Sequence, residues 1–423
     1  MIVITEITMA SSYLFFGVSP RYLFVPYALF LGGNIFIDNK DKYKLPKWNT
    51  ILFGTVFLYY VWVLIVQLGV HRYSIFGYRF HRFMGRSFMY VATGFLIQFF
   101  IDSKSELMRF IRVVIISCGI SALVGIGQVI FGGVFLSIRE LLQKSPQTVG
   151  VSPTDRAFGL QLFHIPFSYD MLMGSFLAIP LWGELKNKKE KLKSVGFFIL
   201  IVTGLIFSMT RSAIGGLILG LVLVAASYKK MIRFKKLLLR SGWQIILLAV
   251  LLFVGLEHIS DAGRFDRITS TTDGSFRVRR TLFTAGFRII RDNPLGIGNG
   301  RYEEYVENNS ERFRDIKNWR KATDYGVHNH FLLNTIYFGW PAGILSLIFM
   351  VQLFFIAKKV FKEGNSKFLK NMSIVITGFL VAYIVNISFH NAGFFKGEAT
   401  IWIVTGILLS LNRIAKRENE SGS

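Results

Sequence analysis

Apolar runs of about 17–25 residues recur from one end of this chain to the other, and nothing else in it restricts folding so strongly. Each is long enough to cross a hydrocarbon core of about 30 Å as a helix. Candidate spans lie near 2–18, 22–37, 50–69, 86–101, 110–133, 167–183, 195–209, 212–227, 243–258, 330–357, 371–389 and 397–412. No basic segment precedes the first stretch and no small-residue cleavage site follows it, so it is expected to be a retained span. With 52% hydrophobic and 17% charged residues and a mean hydropathy of +0.45, the composition also lies outside the soluble globular range. The expected fold is an all-α polytopic integral membrane protein of about twelve transmembrane helices. It divides into a nine-span region (1–258), a large, partly helical extracytoplasmic loop before the tenth span (259–327), and a three-span region with a tail (328–423).

The formal net charge is +24. In a soluble protein that would suggest nucleic acid, but the chain has neither zinc-ligand spacing nor a phosphate-binding P-loop. Membrane lipids explain the charge better, because cytoplasmic loops concentrate Lys and Arg against anionic headgroups. The lysines follow this rule. Lys40 to Lys47, Lys104, Lys186 to Lys193, Lys229 to Lys236, Lys358 to Lys370 and Lys416 all fall on one side of a twelve-span arrangement. That side is expected to be cytoplasmic and to hold both termini. Cys118 is the single cysteine, lies in an apolar run, and is expected to be an inert buried residue.

On the opposite face the cations are mostly arginine: Arg72, Arg79, Arg82, Arg86, Arg156, Arg211, and a group in 259–327 that includes Arg279, Arg280, Arg288 and Arg291. Orientation alone needs only positive charge. A guanidinium adds a planar fork that grips phosphate oxygens and never deprotonates, so this enrichment points to a phosphate-bearing ligand. The competing reading is headgroup contact and ion pairing. Within 280–291, Phe283, Phe287 and Ile290 recur at helical spacing among arginines, as in a short amphipathic helix. Asn293 to Gly300 then breaks the helix with Pro294 and three glycines, a turn that lets backbone N–H groups approach an anion.

Arg211 stands between two apolar runs with almost no loop to hold it. It either snorkels to the interface or serves as an anion ligand in a polar cavity. His328 and His330 open the tenth span. Two residues apart on a helix, they point about 200° away from each other, so one is expected to be functional and the other structural. Histidine suits a general base near neutral pH. Asn329 is placed to cap the helix. His390, in a short loop on the same face, either borders the same cavity or is a satisfied interfacial histidine, and the second is the favoured expectation.

Several separated motifs resemble the O-antigen ligase/polymerase family of bacterial membrane glycosyltransferases. They are Ser208 to Gly216, Arg279 leading through Phe283 and Asp292-Asn293-Pro294 to Gly300, and His328-Asn329 followed by Leu332, Gly339 and Gly343. Arg156-Ala157-Phe158-Gly159 is similar to the family's upstream segment. The resemblance implies a polyprenyl-diphosphate-linked glycan donor, a glycan or lipid-linked acceptor, and a bacterial plasma (inner) membrane location with an extracytoplasmic site. It implies His328 as the base, with Arg211 and Arg279 compensating the diphosphate leaving group. Arg156, Arg280, Arg288, Asn329 and His330 are further binding candidates. No metal and no cofactor are expected, since no Asp-x-Asp pair appears in the outer loops. Polymerase, slightly favoured, and ligase remain open. A flippase or transporter of an anionic lipid-linked glycan is the alternative from another class.

Overall fold

In a computed structural model of the chain, the described residues are 45–71, 78–132, 135, 156–161, 163–185, 187–227, 274–317, 319–320, 326–395 and 398–421. Expected spans 2–18, 22–37 and 243–258 lie outside them, as do Arg72 and the lysines of 40–44 and 229–236. Among the described residues there are eleven α-helices and no strand. They are α1 (Lys47–Leu64, continued by a π-helical turn over Ile65–Val70), α2 (Tyr78–Phe100), α3 (Lys104–Ile130), α4 (His164–Glu184), α5 (Lys188–Phe207) and α6 (Arg211–Ser227). Then follow α7 (Gly274–Asp292), α8 (Tyr302–Asn308), α9 (His330–Glu363), α10 (Lys367–Ile387) and α11 (Thr400–Ser421). The nine expected spans that fall on described residues each coincide with a helix. α1 with its π turn, α3, α9 and α10 are long and apolar enough to cross a membrane by length and composition.

Helix starts follow local chemistry. At α3, Ser103 accepts from the Glu106 backbone while the Glu106 carboxylate accepts from the Ser103 N–H, closing a capping box. Asn187 and Ser366 cap α5 and α10 in the simpler way. Small residues then set the closest packing. A Cβ added to Gly216 or Gly220 of α6 would lie 2.6 Å from the Ala382 carbonyl oxygen or 2.4 Å from that of Gly378, both on α10. These glycines, four residues apart, bring the two backbones into contact, the means by which helices associate where lipid supplies no hydrophobic drive.

The long helices run alternately between two chemically different ends. At one end, Lys104 pairs with Glu184 at 2.7 Å, and Arg413, almost fully buried, donates to the Ile101 carbonyl and the Asp102 carboxylate. At the other lie His71, Arg156, His164, the α5–α6 turn, His328 and His390. The 21 residues of α4 separate the two ends by about 30 Å. Between them, buried polar side chains pair with each other. Asn49 joins Gln98 and Asn412 at 3.0 and 2.7 Å, and Tyr59 donates to Asn334 at 2.8 Å.

α9 is broken. Gly339 has φ 78° and ψ 179°, and Pro341 two residues on has no N–H to resume the ladder. The exposed backbone groups are taken up by Pro294 to Gly298. Ile297 and Gly298 donate to the Ile336 and Tyr337 carbonyls, each at 2.9 Å, and Trp340 N–H donates to Pro294 O at 3.0 Å. Trp62 Nε1 donates to Phe338 O at 2.7 Å. The Ile336, Tyr337 and Phe338 carbonyls and the Trp340 N–H have thus found protein partners, as backbone in an apolar setting requires. This corrects one expectation from sequence. The N–H groups of Ile297 and Gly298 are committed to α9 and do not face an anion.

α7 packs on α9 through Leu282, Ala285 and Ile289, all buried, with Gly286 against Leu332 and Ile336. Phe283 and Ile290 do contact the core, but Phe287 is 59% exposed.

Candidate active site

The site is assembled from five places in the sequence: the segment before α4, the α5–α6 turn, α7, the loop that leads into α9 and the loop that leads out of α10. Ala157 N–H donates to the last carbonyl of α5, Phe207, at 2.8 Å, which fixes Arg156 beside the α5–α6 turn. In that turn Met209 takes φ 54°, a left-handed conformation that reverses the chain within three residues. Arg211 and Ser212 therefore open α6 at the mouth of the bundle, with Arg211 exposed.

Asn329 caps α9, its Oδ1 accepting from Leu332 N–H at 2.9 Å, while its Nδ2 donates to Ser388 O at 3.1 Å. One side chain thus starts the helix and ties it to the α10–α11 loop. That loop is anchored from below. Phe394 and Phe395 sit in an aromatic core with Tyr59, Phe349 and Trp402, and Tyr169 donates to Ala392 O at 3.0 Å. Trp402 Nε1 donates to Phe394 O at 2.6 Å.

The two histidines of 328–330 divide as their spacing requires. His330 is buried, its ring 4.5 Å from that of Phe394 and against Gly393, where a Cβ would clash at 2.3 Å. His328 is half-buried at the helix entry, and its ring makes no hydrogen bond among the described residues. Burial holds its pKa below the ordinary 6.5, and the Arg279 guanidinium lowers it further. The imidazole is neutral at physiological pH.

Arg279 lies over the Phe389 ring, 5.5 Å from its centroid, in cation–π contact with the residue beside His390. His390 is buried and bonds through Nε2 to the Ser212 hydroxyl at 3.0 Å; that hydroxyl donates to Asn386 Oδ1 at 2.7 Å. Burial pushes its pKa down to about 3, helped by Arg279, His164, His328 and Arg156. Arg156 Nη1 is 3.0 Å from His164 Nε2, and burial with that positive neighbour lowers His164 to about 4. Every charge named as acting on these imidazoles is cationic or another imidazole. An electropositive pocket whose histidines stay neutral is suited to an anionic ligand next to a proton acceptor.

Not every residue named from sequence joins this group. Arg280, next to Arg279, is exposed. Arg288 is gripped by both oxygens of Asp315, at 2.5 and 2.8 Å, and also donates to the Arg312 carbonyl, so its fork clamps the loop after α8 onto α7. Conversely, His164 is not singled out by the sequence, and neither is the pairing of His390 with Ser212. For His164 a signal did exist, since it is an imidazole at the mouth of a span eight residues after an arginine, the pattern that drew attention to His328.

No curated protein matches the chain. Residues 196–347 match the family model described as O-Antigen ligase, a stretch that runs from within α5 to within α9 and contains Arg211, Arg279 and His328. Over that segment the chain is similar to the O-antigen ligase/polymerase family.

Proposed function

We propose that the protein is a metal-independent membrane glycosyltransferase that moves a glycan from a polyprenyl diphosphate carrier to a sugar hydroxyl on the extracytoplasmic face. The observation that carries this reading is the neutral His328 imidazole, without a protein hydrogen-bond partner among the described residues and within the electrostatic reach of Arg279. His328 takes the proton as the acceptor oxygen attacks the anomeric carbon. The bond from that carbon to the diphosphate oxygen breaks, and polyprenyl diphosphate leaves with the electron pair. It needs no proton, because diphosphate already carries the charge; Arg279 and Arg211 offset what develops. Arg156 is a further contact for the donor's phosphates. In this reading both termini are cytoplasmic and the chain crosses the membrane twelve times. Polymerase, with a second lipid-linked repeat as acceptor, is slightly favoured over ligation to lipid A–core.

The broken helix α9 invites a transporter reading, since such proteins place discontinuous helices around their substrate. Here three freed carbonyls, of Ile336, Tyr337 and Phe338, and the Trp340 N–H are occupied by Trp62 and the Pro294 to Gly298 segment, which favours the enzyme.

Purified protein in proteoliposomes, given lipid-diphosphate glycan, acceptor and a divalent-metal chelator, is expected to form a new glycosidic product and release polyprenyl diphosphate. Movement of the glycan lipid across the bilayer without product would favour the transporter. The size of the product separates polymer from a single ligated glycan.

The pH profile follows from His328. The base is competent only when neutral, and its pKa is lowered, so kcat/KM is expected to stay level from pH 8 down to about 6.5 and to fall only below that. A midpoint above 6.5 would mean that another group is the base.

A further inference from the structure

His390 lies outside the family-matched segment, yet it is built into the same pocket. Three observations give it a task. First, Ser212 has one hydroxyl proton, and with the Asn386 amide oriented as it is, that proton goes to Oδ1 at 2.7 Å. In that arrangement His390 Nε2 donates to Ser212 at 3.0 Å, the tautomer that leaves a lone pair on Nδ1. Second, Nδ1 has no hydrogen-bond partner among the described residues. Third, the ring is held in place from both sides of the loop, with Phe389 under Arg279 and Ser388 bonded to Asn329.

A lone pair repels phosphate oxygens and suits a neutral O–H donor. The donor's diphosphate belongs with the arginines, whereas the acceptor brings hydroxyls to His328. We propose that His390 is an acceptor-binding residue whose Nδ1 receives a hydrogen bond from a sugar hydroxyl next to the one that reacts, with Ser212 and Asn386 fixing its orientation. This rests on the glycosyltransferase reading above.

Asparagine and glutamine separate this role from a structural one. Asn places a polar atom near the position of Nδ1 but does not reach Ser212; Gln reaches Ser212 but leaves the Nδ1 position empty. The assay uses proteoliposomes holding the lipid-diphosphate glycan extracted from the source cells. The acceptor is the same repeat as an alkyl glycoside without diphosphate. His390→Gln is expected to raise acceptor KM about tenfold, the loss of one hydrogen bond, while His390→Asn raises it about threefold. Donor KM should stay within about twofold of wild type in both. Melting temperature in detergent should run the other way, lower in the Asn variant. If KM instead follows stability, with Gln close to wild type and Asn worst, or if the donor KM changes in place of the acceptor KM, the proposal is overturned. Should neither variant accumulate, Ser212→Ala keeps the ring but frees its tautomer, and an unchanged acceptor KM in that variant would overturn it. No transfer by the wild-type protein would overturn the enzyme reading itself, a result distinct from any of these.

Discussion

His328→Ala abolishes glycan transfer and leaves the fold intact: that is the expected result, with a rate loss of about 10²–10⁴-fold for removal of a general base. The stability half of the prediction comes from geometry. The His328 ring makes no hydrogen bond among the described residues and is only half-buried, so truncation strands no partner and opens no closed cavity. A cost of about 1 kcal/mol or less is expected. Arg279→Ala should act in parallel, by about 10²–10³-fold, through the loss of charge stabilisation. His330→Ala behaves in the opposite manner. Its ring fills a buried space against Gly393 and Phe394, so its truncation should lower the melting temperature before it alters chemistry. Reconstituted transfer rates and detergent melting curves on the three variants check the assignment together. Full activity in His328→Ala would place the base elsewhere.

The parts of this protein that were legible in sequence are those set by local pattern. Apolar runs located nine helices because a span needs a certain length of greasy chain, whatever it packs against. Asn329 could be named as a cap, and His328 and His330 as diverging, because caps and helical angles depend on a few neighbouring residues. What could not be read depends on distant pairing. Ser212 and His390 are 178 residues apart, and nothing near either one announces the other. Phe287 shares the helical spacing of Phe283 and Ile290, but which of them meets the protein is set by how α7 packs on α9, and that contact leaves Phe287 outside. The Pro294 to Gly300 segment looked like an anion-binding turn because glycines expose N–H groups. Its true partner, the break in α9 about 40 residues later, is itself only a glycine and a proline in the sequence.

That pairing carries the second large effect: Gly339→Ala should prevent stable folding, as should Gly296→Ala. At φ 78° and ψ 179°, Gly339 occupies a region that L residues avoid, at a cost of about 1–3 kcal/mol. A Cβ there would also lie 2.5 Å from Pro294 O and 2.6–2.7 Å from Leu295 backbone atoms, which have no side-chain freedom to yield. Gly296, at φ 87°, faces the reciprocal clash, with its Cβ 2.5 Å from Tyr337 O. Relieving either clash separates the two strands of backbone and breaks hydrogen bonds from Ile297, Gly298 and Trp340. In a buried setting each unmade bond costs about 1–3 kcal/mol, so either variant should lose about 4 kcal/mol or more. That is a large part of the total stability of a folded chain. The N-terminal turns of α9 carry His328 and Asn329 at their start, so activity should fall along with the fold. The control is Gly54→Ala, where an added Cβ meets nothing within 4 Å, and which should accumulate like wild type. Membrane abundance and heat resistance in detergent are the measurements, and the double variant Gly296→Ala/Gly339→Ala adds the decisive one. If both glycines serve one joint, its loss should be clearly smaller than the two single losses added together. Full additivity would mean that the two positions act separately and that the Pro294 to Gly298 segment does not hold the break in α9.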